Sequence, residues 1–395
     1  MEDHVCDDCD GFQNGRRIRG KSVKIAMFGQ KRIPSREGGI EVVVEQLATR
    51  MTAMGHQVTC YNRNSRKHPK AERLTEYRGV ELKYVPTLSI KGLAAVTSSF
   101  FAAVRCAFSK AKVVHIHAEG PAAVCWLPKL FGKRVIVTVH GLDWQREKWQ
   151  NSFGRNYIHL GEKMAVRFAD EIIVLSKRVQ NYFMEQYGRR TVWITNGISK
   201  AQRLGPEHLE QFGLGKDEYI LFLGRLVPEK GIHYLIEAYK KLDTSKKLVI
   251  AGDASDTSEY GDRLHAMAAD DPRIVFTGFV QGESLAALYS NAYVYVLPSD
   301  LEGMPMSLLE AMSFGNCCVV SNIDECMEVV ETNAVSFTKS NVTELEACLS
   351  KLCREPETVE RFRQGIDSFV CRKYDWDSVV EQTLQIYGAE TVNAQ

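Results

Sequence analysis

Short β-branched runs alternate with longer stretches of helical period along most of this chain. The first run covers residues 23–28 and ends in a loop around Gly38 and Gly39, after which a helix-like segment covers 40–54. Residues 57–61 and 79–85 read as further strands, the second nearer an edge. Residues 113–117 and 134–139 are apolar enough to be central strands of a parallel sheet. Residues 171–175 and 192–194 complete this half. The second half repeats the alternation, with strands expected at 219–223, 247–251, 274–277, 293–297 and 317–320 and a helix at 231–241.

Repeated βαβ units imply parallel sheets with right-handed crossovers, so the fold class is α/β. Two such sets with a break near 198–215 imply two doubly wound, Rossmann-like domains. The expected organisation is a tail over 1–21, a first domain over 22–199 and a second over 200–378. A final helix over 379–395 would pack back on the first domain. Ligands of such sheets bind at the carboxyl ends of the strands. Facing domains would place the site in an interdomain cleft.

Length and composition add limits. The chain has 395 residues, enough for two ordinary cores. Its net charge of +1 gives no overall electrostatic case for nucleic acid. No run of about 18 apolar residues exists, so no spanning helix is expected. The first 21 residues lack the apolar stretch of a secretion signal, which points to a cytoplasmic protein. Cysteines 60, 106, 125, 317 and 318 lie in apolar runs and read as small buried hydrophobes. Cys6 and Cys9 form a lone CxxC with no second pair, so no metal site is expected there. Residues 91–112 read as an amphipathic helix, either packed on the first sheet or turned to a membrane surface or acceptor. Lys31, Arg32, Arg36, Lys67 and Lys70 add local basic charge.

Two segments carry chemistry. The first is DLEGMPMSLLEA over 300–311, after the apolar strand at 293–297. Pro305 suits the first turn of a helix, and the helix start would aim free N–H groups at an anion. Glu302 would sit in the loop and Glu310 one to two turns inside the helix. A solvated helix residue is the bland alternative for Glu310, but its apolar neighbours make a lone carboxylate there costly unless paired. The second segment is LGRLVPEKG over 223–231, directly after a strand. Arg225 and Lys230 over a helix start suit a diphosphate.

Gly224-Arg225 with Glu229-Lys230-Gly231, followed by Glu302 and Glu310 eight positions apart, closely resemble the retaining GT-B glycosyltransferases of family 4. The resemblance runs from about Lys24 to the C-terminal Tyr-Asp-Trp. The wording PSREGGIE over 34–41 also looks like a subgroup of bacterial rhamnosyl- and related transferases of capsule and exopolysaccharide assembly. The resemblance implies that Gly38 and Gly39 let the backbone approach donor phosphate and acceptor. It puts His140 beside the transferred sugar, with the HIHAEG of 115–120 and the VHGLDW of 139–144 at strand ends facing the cleft. It sets Phe279 and Val280 near the nucleobase and makes Asn196-Gly197 the hinge. Gly303, Met304 and Pro305 join the donor loop. Asp143, Arg146 and Glu119 would touch the acceptor or form structural salt bridges. One departure is Ser321–Glu328, where members often carry paired glycines.

By the same resemblance the reaction retains anomeric configuration, with Glu302 on the donor sugar and Glu310 on the ribose. Arg225 and Lys230 would neutralise the leaving diphosphate. The expected partners are a nucleotide-diphosphate sugar and a glycan or lipid-linked acceptor, with peripheral contact at the inner membrane face. Neither a cofactor nor a metal is expected. The main rival is a sugar-nucleotide epimerase of the same architecture, such as a UDP-N-acetylglucosamine 2-epimerase. A dehydrogenase would need a GxGxxG after the first strand, which is missing. A non-catalytic scaffold would not need the intact motif set.

Overall fold

The computed structural model describes residues 22–64, 73–88, 90, 93–146, 152–253 and 258–388. Cys6, Cys9, Lys67, Lys70 and Lys91 lie outside the described residues. The chain forms two compact units. One gathers the described residues of 1–144, 151–194 and 377–395; the other those of 145–150 and 195–376.

The first unit is built on eight strands: β1 (Lys24–Phe28), β2 (Gln57–Arg63), β3 (Glu76–Tyr77), β4 (Val80–Val85), β5 (Val113–His117), β6 (Arg134–Val139), β7 (Glu171–Val174) and β8 (Val192–Trp193). Their order is β3-β4-β2-β1-β5-β6-β7-β8. Every pairing is parallel except β3 with β4, a short antiparallel edge absent from the sequence expectation. The central strands are buried along their whole length, β5 from Val113 to His117 and β6 from Val135 to Val139. That is why they read as mainly apolar runs. The core between sheet and helices includes Phe28, Ile116, Val137, Ile172 and Phe183. The helix Trp376–Ile386 leads the chain back to this unit. There Arg50 Nη1 meets Asp377 Oδ1 at 2.7 Å and Arg134 Nε donates to the Ile386 carbonyl at 2.8 Å.

The second unit has six parallel strands: β9 (Tyr219–Leu223), β10 (Lys247–Ala251), β11 (Ile274–Gly278), β12 (Val294–Leu297), β13 (Cys318–Ser321) and β14 (Val335–Phe337). Their order is β11-β10-β9-β12-β13-β14. The edge strand β14 was not expected from sequence, being only three residues long and one of them exposed. Cys60, Cys106, Cys125, Cys317 and Cys318 are buried free thiols, each pushed up in pKa by desolvation.

Each sheet reverses direction once, and the reversal locates the working loops. In the first unit the chain moves outward from β1 to β2 and β4, then resumes on the other side of β1 with β5. In the second it moves from β9 through β10 to β11, then resumes beside β9 with β12. Loops diverge at such switch points and leave a crevice at the strand ends. The loops after β1 and β5 flank one crevice, and those after β9 and β12 flank the other.

Candidate active site

In the second unit, β9 ends at Leu223 and the chain turns through Gly224 and Arg225 into a short 3-10 turn, Pro228–Lys230. The helix Ile232–Tyr239 follows, shorter than expected at both ends; it starts after Gly231, which sits in the left-handed region at φ +65°. A side chain on Gly231 would place its Cβ 2.0 Å from the Pro298 carbonyl oxygen. Glycine is therefore required for the β9 loop to lie against the β12 loop. The Asp300 amide donates to the Glu229 carbonyl at 2.8 Å and fastens the same two loops.

The two charged motifs meet across this seam. Lys230 Nζ donates to Glu302 Oε1 at 2.6 Å, although 72 residues separate them. Ser299 Oγ donates to the same oxygen at 2.6 Å. Both charged side chains are largely buried, with 13% and 8% of their surface exposed. A close ion pair with an added hydroxyl donor answers most of the desolvation of Glu302. Asp300 is held on its other side by Tyr234 Oη at 3.1 Å and Ser340 Oγ at 2.7 Å.

The helix after this loop runs Met306–Ser313, and Pro305 is its N-cap rather than a first-turn residue. Its ψ of 100° is extended, and its carbonyl accepts the first helical bonds from Leu308 and Leu309. Gly303, Met304 and Pro305 are buried, and Met304 Sδ receives the Asn196 amide at 3.0 Å. Glu310 lies just over one turn into the helix, where Tyr289 Oη donates to its Oε2 at 3.0 Å. Arg225 is half-buried in the β9 loop. Phe279 is exposed and Val280 half-buried after β11, which β10 and β9 separate from β12. No hydrogen bond among the described residues joins them to the Lys230–Glu302 pair.

In the first unit, Gly38 is the N-cap and Gly39 the first residue of the helix Gly39–Ala53. The loop from β1 is pinned by Asn62, whose Oδ1 accepts from the Ile33 amide at 3.1 Å and whose Nδ2 donates to the Ile33 carbonyl at 2.9 Å. Across the switch point lies a histidine row. His117 Nδ1 and His140 Nε2 share a hydrogen bond of 3.1 Å. The His115 and His117 rings stack at a tilted 4.1 Å.

His115 corrects an expectation. It is fully buried, with Tyr387 Oη on Nδ1 and Thr138 Oγ1 on Nε2, both at 2.6 Å. It is a core histidine rather than a cleft residue. Burial pushes its pKa down to about 3 and holds that of His117 well below the usual value. Glu119 is also buried, and its Oε2 accepts from the Asp143 amide at 2.8 Å. It acts on the backbone of the Asp143 turn, not in a salt bridge. Burial first, then Asp143 and Glu162, raises its pKa well above the carboxylate range. Glu162 in turn accepts from Tyr187 Oη at 2.6 Å and Tyr182 Oη at 3.1 Å.

Ser299, Tyr289, Tyr387 and Glu162 were not singled out by sequence reasoning. None carries a local signal. Tyr289 lies 21 residues before Glu310, and Tyr387 lies 272 residues after His115. Among the described residues no group of histidine, cysteine and carboxylate side chains is arranged to hold a metal ion.

Two Rossmann-like parallel sheets, each with a switch point carrying polar loops, define a GT-B protein. Two family models match the chain in sequence. Glycosyltransferase Family 4 matches residues 37–202, and glycosyl transferases group 1 matches 206–368. Together they account for most of its length, and with the fold they support a GT-B glycosyltransferase like those of family 4. Among curated relatives, an uncharacterized glycosyltransferase of Methanocaldococcus jannaschii is 27% identical over 395 residues, covering 92% of this chain and 98% of its own. Among solved structures, sucrose-phosphate synthase from Thermosynechococcus elongatus aligns with a TM-score of 0.80 at 20% identity, covering 93% of this chain and 98% of that one. Anabaena HepE in complex with UDP and glucose aligns with a TM-score of 0.78 at 17% identity, over 93% of this chain and 100% of that one.

Proposed function

We propose that the protein transfers a hexose from a nucleotide-diphosphate sugar to a glycan or lipid-linked acceptor, with retention, in cell-surface polysaccharide synthesis. The observation that carries the donor half is the meeting of Lys230 and Glu302 at the β9/β12 switch point. A cation and a carboxylate, side by side beneath a helix start, match the two ends of such a donor. Lys230 and Arg225 take the diphosphate, and the amides at the start of Met306–Ser313 add fixed partial positive charge. Glu302 accepts from sugar hydroxyls and Glu310 from the ribose, the latter aimed by Tyr289. Phe279 and Val280 flank the base.

His140 takes the role given by the family resemblance, bonding a donor hydroxyl or the β-phosphate, with Gly38 and Gly39 on the acceptor side. Because Lys230 and Glu302 are bonded to each other, donor binding redistributes an existing ion pair rather than filling a bare one. HepE, which has the same fold, was crystallised with UDP and glucose, and this favours a nucleoside diphosphate as the leaving group. The epimerase alternative gains nothing from either family match. The lipid-linked acceptor and the inner membrane face rest on the PSREGGIE resemblance of residues 34–41.

The test is a thermal-shift screen against UDP, GDP, dTDP, ADP and their sugar conjugates. A ligand bound only by the native state raises the melting temperature, by about 2.7 kcal/mol of stabilisation at a hundredfold excess over Kd. Stabilisation by one nucleotide class supports the donor site and names the base. No shift at millimolar ligand with folded protein overturns it.

A further inference from the structure

The helix Leu93–Phe108 is packed inside out. The face it turns to the β1–β2–β4 side of the first sheet is made of small residues, with Ser98, Ser99, Ala102, Ala103, Cys106 and Ala107 buried. Its large apolar side chains point the other way: Leu93, Phe100, Phe101 and Phe108 are exposed. Positions 93, 100/101 and 108 recur every seven or eight residues, so these side chains form one stripe along the outer face. The stripe continues beyond the helix. The Phe108 ring meets Phe131 edge-on at 4.7 Å, and Leu130 stands beside it. Phe108 is 73% exposed, Leu130 69% and Phe131 47%. Single exposed hydrophobic residues are ordinary, but a contiguous aromatic ridge marks a contact surface.

Its charge says what the contact is. Between Glu81 and Asp143 the only acidic residue is Glu119, and it is buried. The same stretch carries Arg105, Lys110 and Lys112, all exposed, and the half-buried Lys83, Lys129, Lys133 and Arg134, of which Lys83 pairs with Glu81 and Lys129 with Asp170. Lys133 and Arg105 donate to backbone carbonyls, Ser109 at 2.6 Å and Tyr84 at 3.0 Å, rather than to carboxylates. A second copy of this chain meeting the ridge face to face would set these cations against their own kind. An anionic surface with an apolar layer beneath answers both features.

We propose that the ridge of Phe100, Phe101, Phe108, Leu130 and Phe131, with Arg105, Lys110 and Lys112 beside it, is the surface by which this protein docks on an anionic lipid bilayer. The helix lies in the headgroup layer with its aromatic rings at the acyl boundary and its cations at lipid phosphates. No described helix is long and apolar enough to cross a membrane. The inference deepens the membrane-side acceptor of the reading above, but it is argued from its own residues and stands apart from donor binding.

The experiment is co-sedimentation of the full chain with vesicles of phosphatidylcholine alone, and of phosphatidylcholine with phosphatidylglycerol. Binding to the anionic vesicles is expected, weakening as salt rises. Phe108→Ser with Phe131→Ser lowers apparent vesicle affinity by about tenfold or more. Lys110→Glu with Lys112→Glu lowers it by at least about fivefold per charge, on the anionic vesicles only. Circular dichroism and nucleotide thermal shift are expected unchanged in both variants. Equal binding to both vesicle types, no binding to either, or variants that bind as the parent does would each overturn the proposal; a dimer that the Phe→Ser variant abolishes would give the ridge to a second copy instead. Vesicle binding without any nucleotide shift would leave it standing and remove the donor reading instead.

Discussion

The two units treat charge at their strand ends in opposite ways. At the β9/β12 ends the second unit keeps charges and pairs them: Lys230 lies 2.6 Å from Glu302, and Asp300 is held by two hydroxyls. At the β5/β6 ends the first unit removes charge. Burial drives His115 and His117 to the neutral form and raises Glu119 toward the protonated one. A paired charge at a loop can be shared with a diphosphate, while a neutral buried row orients its neighbours. The contrast fits the donor role proposed for the second unit, whose charges would meet a diphosphate.

The comparison breaks most visibly in activity. Arg225→Ala and Glu310→Gln are expected to lower transfer by about a hundredfold to a thousandfold, the scale for losing one preorganised electrostatic contact. Circular dichroism should stay native. Full activity in both variants would remove them from the site.

A smaller but still large effect falls on stability. Lys230→Met leaves Glu302 buried without its cation, at a cost of about 3–5 kcal/mol in urea unfolding. Lys230→Met combined with Glu302→Gln should recover most of it. A single variant as stable as the parent would mean that Glu302 is solvated and the pair contributes little.

Acid stability probes the first unit. His115 and His117 have folded pKa values below the unfolded value near 6.5, so the unfolded chain binds more protons as pH falls through 6.5. Stability is therefore full above that point and lost below it. Glu119 has the opposite sign. Its raised folded pKa gives stability present below about 4.5 and lost as pH rises. Between pH 6.5 and 4.5, two histidines oppose one carboxyl, so acidification lowers stability overall. Glu119→Gln should steepen that slope, as measured by urea midpoints at pH 7, 6 and 5. An unchanged slope would mean that Glu119 is ionised in the fold.

The smallest expected effect is on Tyr289. Tyr289→Phe removes the donor to Glu310 and should cost about 1 kcal/mol. A greater loss in donor affinity than in stability would separate aiming of Glu310 from packing.

Much of the fold was legible because its signals are local. Strands 113–117, 134–139, 219–223 and 247–251 have the bounds expected from apolar runs. The exceptions have physical reasons. β3 and β14 are too short to show a period. Gly231 could be read as opening a helix, but it precedes the helix in the left-handed region, and the Pro298 carbonyl beyond β12 leaves no room for a side chain there. The histidines of HIH looked alike on the chain, yet one is closed off by Tyr387, brought over by the returning C-terminal helix.

By itself the sequence determined the α/β class, the twofold repeat and the loops that bear charge, because each depends on spacings within a few residues. Tertiary structure alone decided that Lys230 would meet Glu302, that Glu310 would take its hydrogen bond from Tyr289, and that the helix Leu93–Phe108 would turn its small residues inward. Those outcomes depend on which strands become neighbours and how closely a helix can approach a sheet. A pattern read along the chain contains neither.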